Sequence, residues 1–178
     1  MDLVTLRRTR PAGDEFNPSV AGYIGKVPDG DVVAGLERSG AEVARLFAAL
    51  PEARQRHRYA PDKWSVRQVV AHLSDAERVF AYRLLRIGRG DTVPLAGYDQ
   101  EPWAVTAHAD ERPWASLVEE LATVRRSTLQ LLASFAAEDW LRRGTANHLP
   151  VSARALAWTI LGHELHHRAG LAEHYGVA

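Results

Sequence analysis

Cysteine is absent from this 178-residue chain and methionine occurs once. Without cysteine there is no disulfide framework, no thiol nucleophile and no thiolate ligand, so any metal site must be built from nitrogen and oxygen donors. An excess of either charge is also missing. The 22 basic and 22 acidic residues cancel, which removes the electrostatic reason to expect a nucleic-acid partner. The basic runs Arg7-Arg8-Thr9-Arg10 and Arg83 to Arg89 are short and diluted by acidic neighbours, as on a solvated surface. No apolar run approaches the roughly 18 residues of a membrane span. Arginines appear before an apolar signal core can form. The expectation is a cytoplasmic protein that engages neither membrane nor nucleic acid.

Long alternating apolar patterns and internal repeats are lacking as well, and helical periodicity takes their place. Residues 1–30, rich in proline, glycine and charge, read as an irregular lead-in packed on the same domain. A first helix is predicted over about 31–50, with Val33, Leu36, Val43, Phe47 and Leu50 at helical spacing. Ser65-Val66-Arg67-Gln68 has the form of a capping box and opens a second helix, in which Val66, Val69, Val70, Leu73, Phe80, Leu84 and Ile87 repeat until Gly88 and Gly90. A long connection, Asp91 to Arg112, contains a short helix around Asp99–Ala107. Pro113 suits the first turn of a third helix, whose stripe is Leu117, Leu121, Val124, Thr128, Leu131 and Phe135. The fourth begins near Ser152 and runs to about Tyr175, with Gly176 beyond. The fold class expected is all-α: a four-helix bundle over 31–178, with a long crossover between the second and third helices.

The chemistry is concentrated in Gly162-His163-Glu164-Leu165-His166-His167. His163 and His167 are one helical turn apart, so both rings can face one point. Taking about 100° per residue from Leu156, they fall with Thr159, Ile160, Gly170, Leu171 and His174 within roughly 60° of the core stripe. Two imidazoles in an apolar face must each find a partner or suffer a desolvation cost of a few kcal/mol. A shared divalent metal satisfies both. A catalytic metal needs a third ligand and an open position. His72, at the edge of the second helix's stripe, fits a ring reaching between helices and an ordinary boundary histidine almost equally well. His166 lies on the flank of the fourth helix, and His148, in the loop before it, is placed to line a pocket mouth. His174 lies about 10 Å from His167 along the axis, too far to share its ion.

Read literally, residues 163–167 spell H-E-x-x-H, and Gly170 follows as in a metzincin. That pattern next requires histidine where Glu173 stands, with His174 one place late. No Met-turn and no third glutamate ligand follow in the residues up to Ala178, so a zinc peptidase is not expected. Glu164, roughly 100° around the helix from His163, is open to two roles: general base, or a solvated or ion-paired glutamate.

Lys63-Trp64-Ser65-Val66-Arg67-Gln68-Val69-Val70-Ala71-His72-Leu73, taken with Gly162 to His167, resembles the DinB/YfiT-like superfamily of metal-dependent hydrolases. The resemblance extends to Asp75 to Arg83, Gly97 to Gln100 and Arg143 to Asn147. It implies a four-helix bundle with a long crossover and one divalent metal, nickel or zinc, on three histidines that fall here on His72, His163 and His167. It also implies an enzyme of a small-molecule substrate, by hydrolysis or by transfer of a low-molecular-weight thiol acting as cosubstrate, and a homodimer. Tyr98, Asp99, Gln100 and Trp103 in the crossover are candidates for pocket walls or for plain turn and packing duty. A non-catalytic, metal- or ligand-binding homodimeric bundle, stress-related in role, is the alternative from another functional class.

Overall fold

The computed structural model of the protein describes residues 1–177. Its elements run α1 (Leu3–Arg8), α2 (Ala21–Lys26), α3 (Val32–Ala48), α4 (Glu52–Gln55), α5 (Val66–Gly88), α6 (Gln100–Thr106), α7 (Trp114–Ala133), α8 (Ala137–Leu141), β1 (Arg143–Ala146), β2 (Leu149–Ser152) and α9 (Ala153–Tyr175). The long helices α3, α5, α7 and α9 form a four-helix bundle. Around it α5 touches α7 and α9, and α3 touches the same two from the other side. The successive helices α3 and α5 are therefore diagonal, as are α7 and α9. No helix among the described residues is long and apolar enough to cross a membrane.

The ends of these helices follow from local chemistry. Ser65 Oγ accepts from Gln68 N at 3.1 Å and Gln68 Oε1 accepts from Ser65 N at 3.0 Å, the reciprocal capping box. Gln68 Nε2 also donates to Ala104 O at 3.1 Å, so the cap that starts α5 holds the crossover helix α6. Ser152 Oγ accepts from Ala155 N at the start of α9, and Gly176, at φ 61°, ends it in the left-handed conformation that glycine adopts without strain.

Two expectations need correction. The lead-in is not irregular: it contains α1, capped by Asp2, and α2, with 3₁₀ turns at 13–15 and 18–20. Both helices have six residues, too few to display a periodic stripe. Their stability comes from docking: Leu6 and Ile24 are buried, and Arg10 Nη2 donates to Val27 O at 2.8 Å while its guanidinium lies over Trp158 of α9. The region before α9, read as a plain loop, is a β hairpin. Its strands pair antiparallel from Arg143↔Ser152 to Ala146↔Leu149. Asn147 and His148 turn it with φ of 51° and 65°, the two positive values a type I′ turn requires.

The core is split along the bundle. One apolar section gathers Leu36, Leu84, Leu132, Trp158 and Ile160. The other gathers Val43, Phe47, Val70, Leu73, Leu117 and Leu171. Each long helix breaks its apolar stripe between the two sections, α3 at Ser39, α5 at Glu77, α7 at Arg125 and α9 at His163 and Glu164, and all five side chains are buried. A polar layer therefore crosses the middle of the bundle, and the site is built at its edge.

Candidate metal centre

His72 comes from α5 and His163 and His167 from the adjacent helix α9. One nitrogen from each ring lies within 4.8 Å of the others. His72 Nε2 and His163 Nε2 are 3.1 Å apart, and ring centroids are separated by 5.0 Å (His72–His163), 4.8 Å (His72–His167) and 4.5 Å (His163–His167). His72 and His163 are buried and His167 is partly exposed.

Burial holds all three rings in the neutral form. It lowers His72 to about 4. Burial, with His72 and His166 nearby, lowers His167 to about 3. His163 is pushed well below the ordinary histidine value by burial and then by the other three imidazoles. Neutral imidazole is the ligating form. Bonds of about 2.0–2.1 Å at tetrahedral angles put ligand nitrogens roughly 3.3 Å apart, close to the spacing of His72 and His163. The donor set and its packing thus fit a divalent ion.

The backbone brings α2 onto the cluster. A Cβ on Gly162 would collide with the carbonyl of Tyr23, so only glycine lets the two backbones meet immediately before His163. The Tyr23 ring then stands edge-on to His163 at 5.3 Å and to His166 at 5.2 Å. On another side Trp64 lies against His72, centroids 4.9 Å apart, and its carbonyl accepts from Tyr175 Oη at 2.7 Å.

His167 opens into a cleft of about 450 Å³ whose walls include Lys26, Tyr59, Lys63, Trp64, Gln100, Glu101, His166 and His174. Of the crossover residues expected at a pocket, Gln100 lines this cleft. Tyr98 and Trp103 instead pack on each other at 4.7 Å, with Arg83 over the tyrosine. Asp99 caps α6 by accepting from Glu101 N at 3.0 Å. His148 is exposed at the hairpin turn, away from the cleft lining.

Glu164 turns away from the histidines. Its Oε2 accepts from Arg125 Nη2 at 2.6 Å and its Oε1 from the Ser39 hydroxyl. Of its two sequence-level readings, the geometry is that of an ion-paired glutamate, buried and committed. Sequence reasoning missed Tyr23, Tyr59 and Arg125. For Tyr23 a faint signal existed in Gly162, a glycine inside an otherwise continuous helix that marks close backbone approach.

The sequence profile of the DinB superfamily matches residues 35–170. None of the curated proteins matches the sequence. Among solved structures the chain is similar to YfiT from Bacillus subtilis, described as a probable metal-dependent hydrolase with an unusual four-helix bundle topology. The TM-score is 0.68 at 17% sequence identity, over 98% of this chain and 100% of that one. At that identity the likeness shows the fold.

Proposed function

The chain belongs to the DinB superfamily, and from that premise we propose that it is a metal-dependent enzyme acting on a small molecule, by hydrolysis or by transfer of a low-molecular-weight thiol. The observation that carries this reading is the convergence of three neutral imidazoles from two helices at the inner end of a cleft. A nitrogen-only set of three suits nickel or zinc. A divalent ion held there supplies Lewis acidity, acidifying a ligated water or thiol and polarising a carbonyl. The chain's own residues hold and orient the substrate. His167, the partly exposed member, faces the cleft. Tyr59, stacked on His174 at 4.9 Å, and Trp64 form an aromatic flank for an apolar or planar part of the substrate. Gln100 and Lys26 add an amide and a cation. Glu164, engaged by Arg125 and Ser39, is not available to take a proton from a nucleophile. A thiol cosubstrate suits a protein with no thiol of its own and a cytoplasmic setting, where thiols stay reduced.

The decisive measurement is elemental analysis of protein purified without a histidine tag. About one equivalent of nickel or zinc is expected, and it should be lost in His72→Ala, His163→Ala and His167→Ala. Wild-type protein that takes up no divalent ion even on reconstitution would end this reading. Thiol consumption and ester hydrolysis, measured with a panel of small electrophiles and esters, then separate transfer from hydrolysis.

A second reading, a non-catalytic metal-binding homodimer, is favoured by one feature. A groove of about 630 Å³ runs between α5 and α7, lined in part by Ala81, Tyr82, Leu85 and Leu131, with Tyr82 50% and Leu85 40% exposed. Light scattering that returns a dimer, with stoichiometric metal and no turnover across the panel, would support it over the enzyme.

A further inference from the structure

The polar layer at mid-bundle carries one charge too many. Arg125 Nε and Nη2 donate to the two oxygens of Glu77, both at 2.8 Å, a bidentate pair. Nη2 also donates to Glu164 Oε2 at 2.6 Å, and Nη1 to the Leu36 carbonyl of α3 at 3.0 Å. With Ser39 donating to Glu164, the group joins all four long helices. One guanidinium thus faces two carboxylates, and Glu77, Arg125 and Glu164 are all buried. Arg168, partly buried at the edge of the layer, lies 4.0 Å from Glu164 and donates to the Ser39 hydroxyl at 3.3 Å, while also pairing with the more exposed Glu42 at 2.9 Å, so that with these two counted two guanidiniums still face three carboxylates. The remaining hydrogen-bonding neighbours are uncharged.

An uncompensated buried charge is costly, and among the described residues only the partly buried Arg168, which is shared with Glu42, offsets this one. What adjoins it is the metal centre. His163, next to Glu164 in sequence, shares a small void of about 10 Å³ with Glu77, Arg125 and Glu164, walled otherwise by apolar side chains such as Leu73, Phe80 and Ile160. That void has room for about one water, so little solvent fits between the layer and His163. The three imidazoles are neutral and bring no charge to offset a divalent cation.

We propose that the buried Glu77–Arg125–Glu164 group supplies the counter-charge for the cation at the three-histidine site, and so sets its affinity for divalent metal; this rests on the metal-centre reading above. Glu164 is then a positioning and electrostatic residue acting through the protein interior. Its acidity serves the site without touching the reacting atoms.

The test is Zn²⁺ affinity of tag-free apoprotein, by competition with a chromophoric chelator, paired with the apoprotein's melting temperature. Glu164→Gln keeps the side chain's shape and its acceptance from Arg125, and the Ser39 hydroxyl can accept from the new amide. Glu77→Gln is the second variant should the first not fold. With an effective dielectric of about 20, removing one charge this close to a divalent ion should weaken Zn²⁺ binding at least about tenfold. The apoprotein, relieved of its excess charge, should melt no lower than wild type. A second probe checks that the effect is coulombic: for Ag⁺ the logarithm of the affinity loss should be about half that for Zn²⁺. Zn²⁺ affinity within twofold of wild type in both variants would overturn the proposal. So would equal losses for Zn²⁺ and Ag⁺, or a loss tracked by a falling apoprotein melting temperature. If wild-type protein binds no Zn²⁺ at all, the metal-centre reading falls with it; if wild type binds and the variants match it, only this inference falls.

Discussion

At the residue scale the molecule is organised by what its few buried polar side chains demand. Arg125 answers two carboxylates, one hydroxyl-bound, and a main-chain carbonyl, which come from the three other long helices. Replacing it by methionine fills the space but leaves Glu77 without a cation and Glu164 with Arg168 alone, 4.0 Å away, the case in which breaking a buried ion pair is most damaging. Arg125→Met should therefore lose about 3–5 kcal/mol of unfolding free energy, read as a fall in urea midpoint. A loss under about 1 kcal/mol would mean that water already reaches the layer. This pairing was illegible in the sequence. The i,i+4 spacing of His163 and His167 speaks within one helix, but Arg125 and Glu164 are 39 positions apart on helices that are diagonal in the bundle. In the sequence Glu164 therefore reads as a general base or as a solvated or ion-paired glutamate, with no sign of which residue would pair with it. His72 had the same defect, and the resemblance to a known family, more than its own neighbours, brought it forward.

At the scale of elements, legibility followed the length of the pattern. The Ser65 capping box, Pro113 and Gly176 punctuate helices long enough to repeat their stripe, and α3, α5, α7 and α9 begin and end close to where those signals put them. The six-residue α1 and α2 have no room for a repeat, and the hairpin's four-residue strands show no clean alternation: the pairing edge Leu149–Ser152 reads exposed, exposed, buried, buried. Yet α2 is the element that closes one side of the three-histidine cluster, through the contact of its Tyr23 carbonyl with Gly162. Gly162→Ala is expected to push α2 off α9 at a cost of about 1–3 kcal/mol. The same variant should loosen the backbone at Arg7, Arg8 and Lys26 for trypsin, so that limited digestion trims the N-terminal segment while the bundle survives. An unchanged digestion pattern and melting temperature would show that α2 can retreat without consequence.

At the scale of the whole molecule, the three buried imidazoles couple folding to pH. In the unfolded chain each titrates near 6.5, whereas in the folded apoprotein His72 is lowered to about 4 and His167 to about 3, with His163 held lower than its ordinary value as well. Above pH 6.5 both states are unprotonated and these groups leave stability flat. Between about pH 6.5 and 4 the unfolded chain binds protons that the folded one refuses, so stability falls as pH falls. At about 1.4 kcal/mol per unit, His72 alone accounts for on the order of 3 kcal/mol by pH 4. Carboxylates begin to contribute below about pH 5, so the clean window is about pH 7 to 5.5. Chelator-treated protein should therefore lose several degrees of melting temperature across that window. His72→Gln, with no titrating group at that position, should lose fewer. Metal-loaded protein should start higher at pH 7 and fall in parallel with the apoprotein across that window, because the folded nitrogens take up no protons there that could compete with the ion. Parallel slopes for apoprotein and His72→Gln would mean that His72 is protonated in the fold as readily as in water, and that the buried, neutral cluster on which the proposed metal site depends does not form.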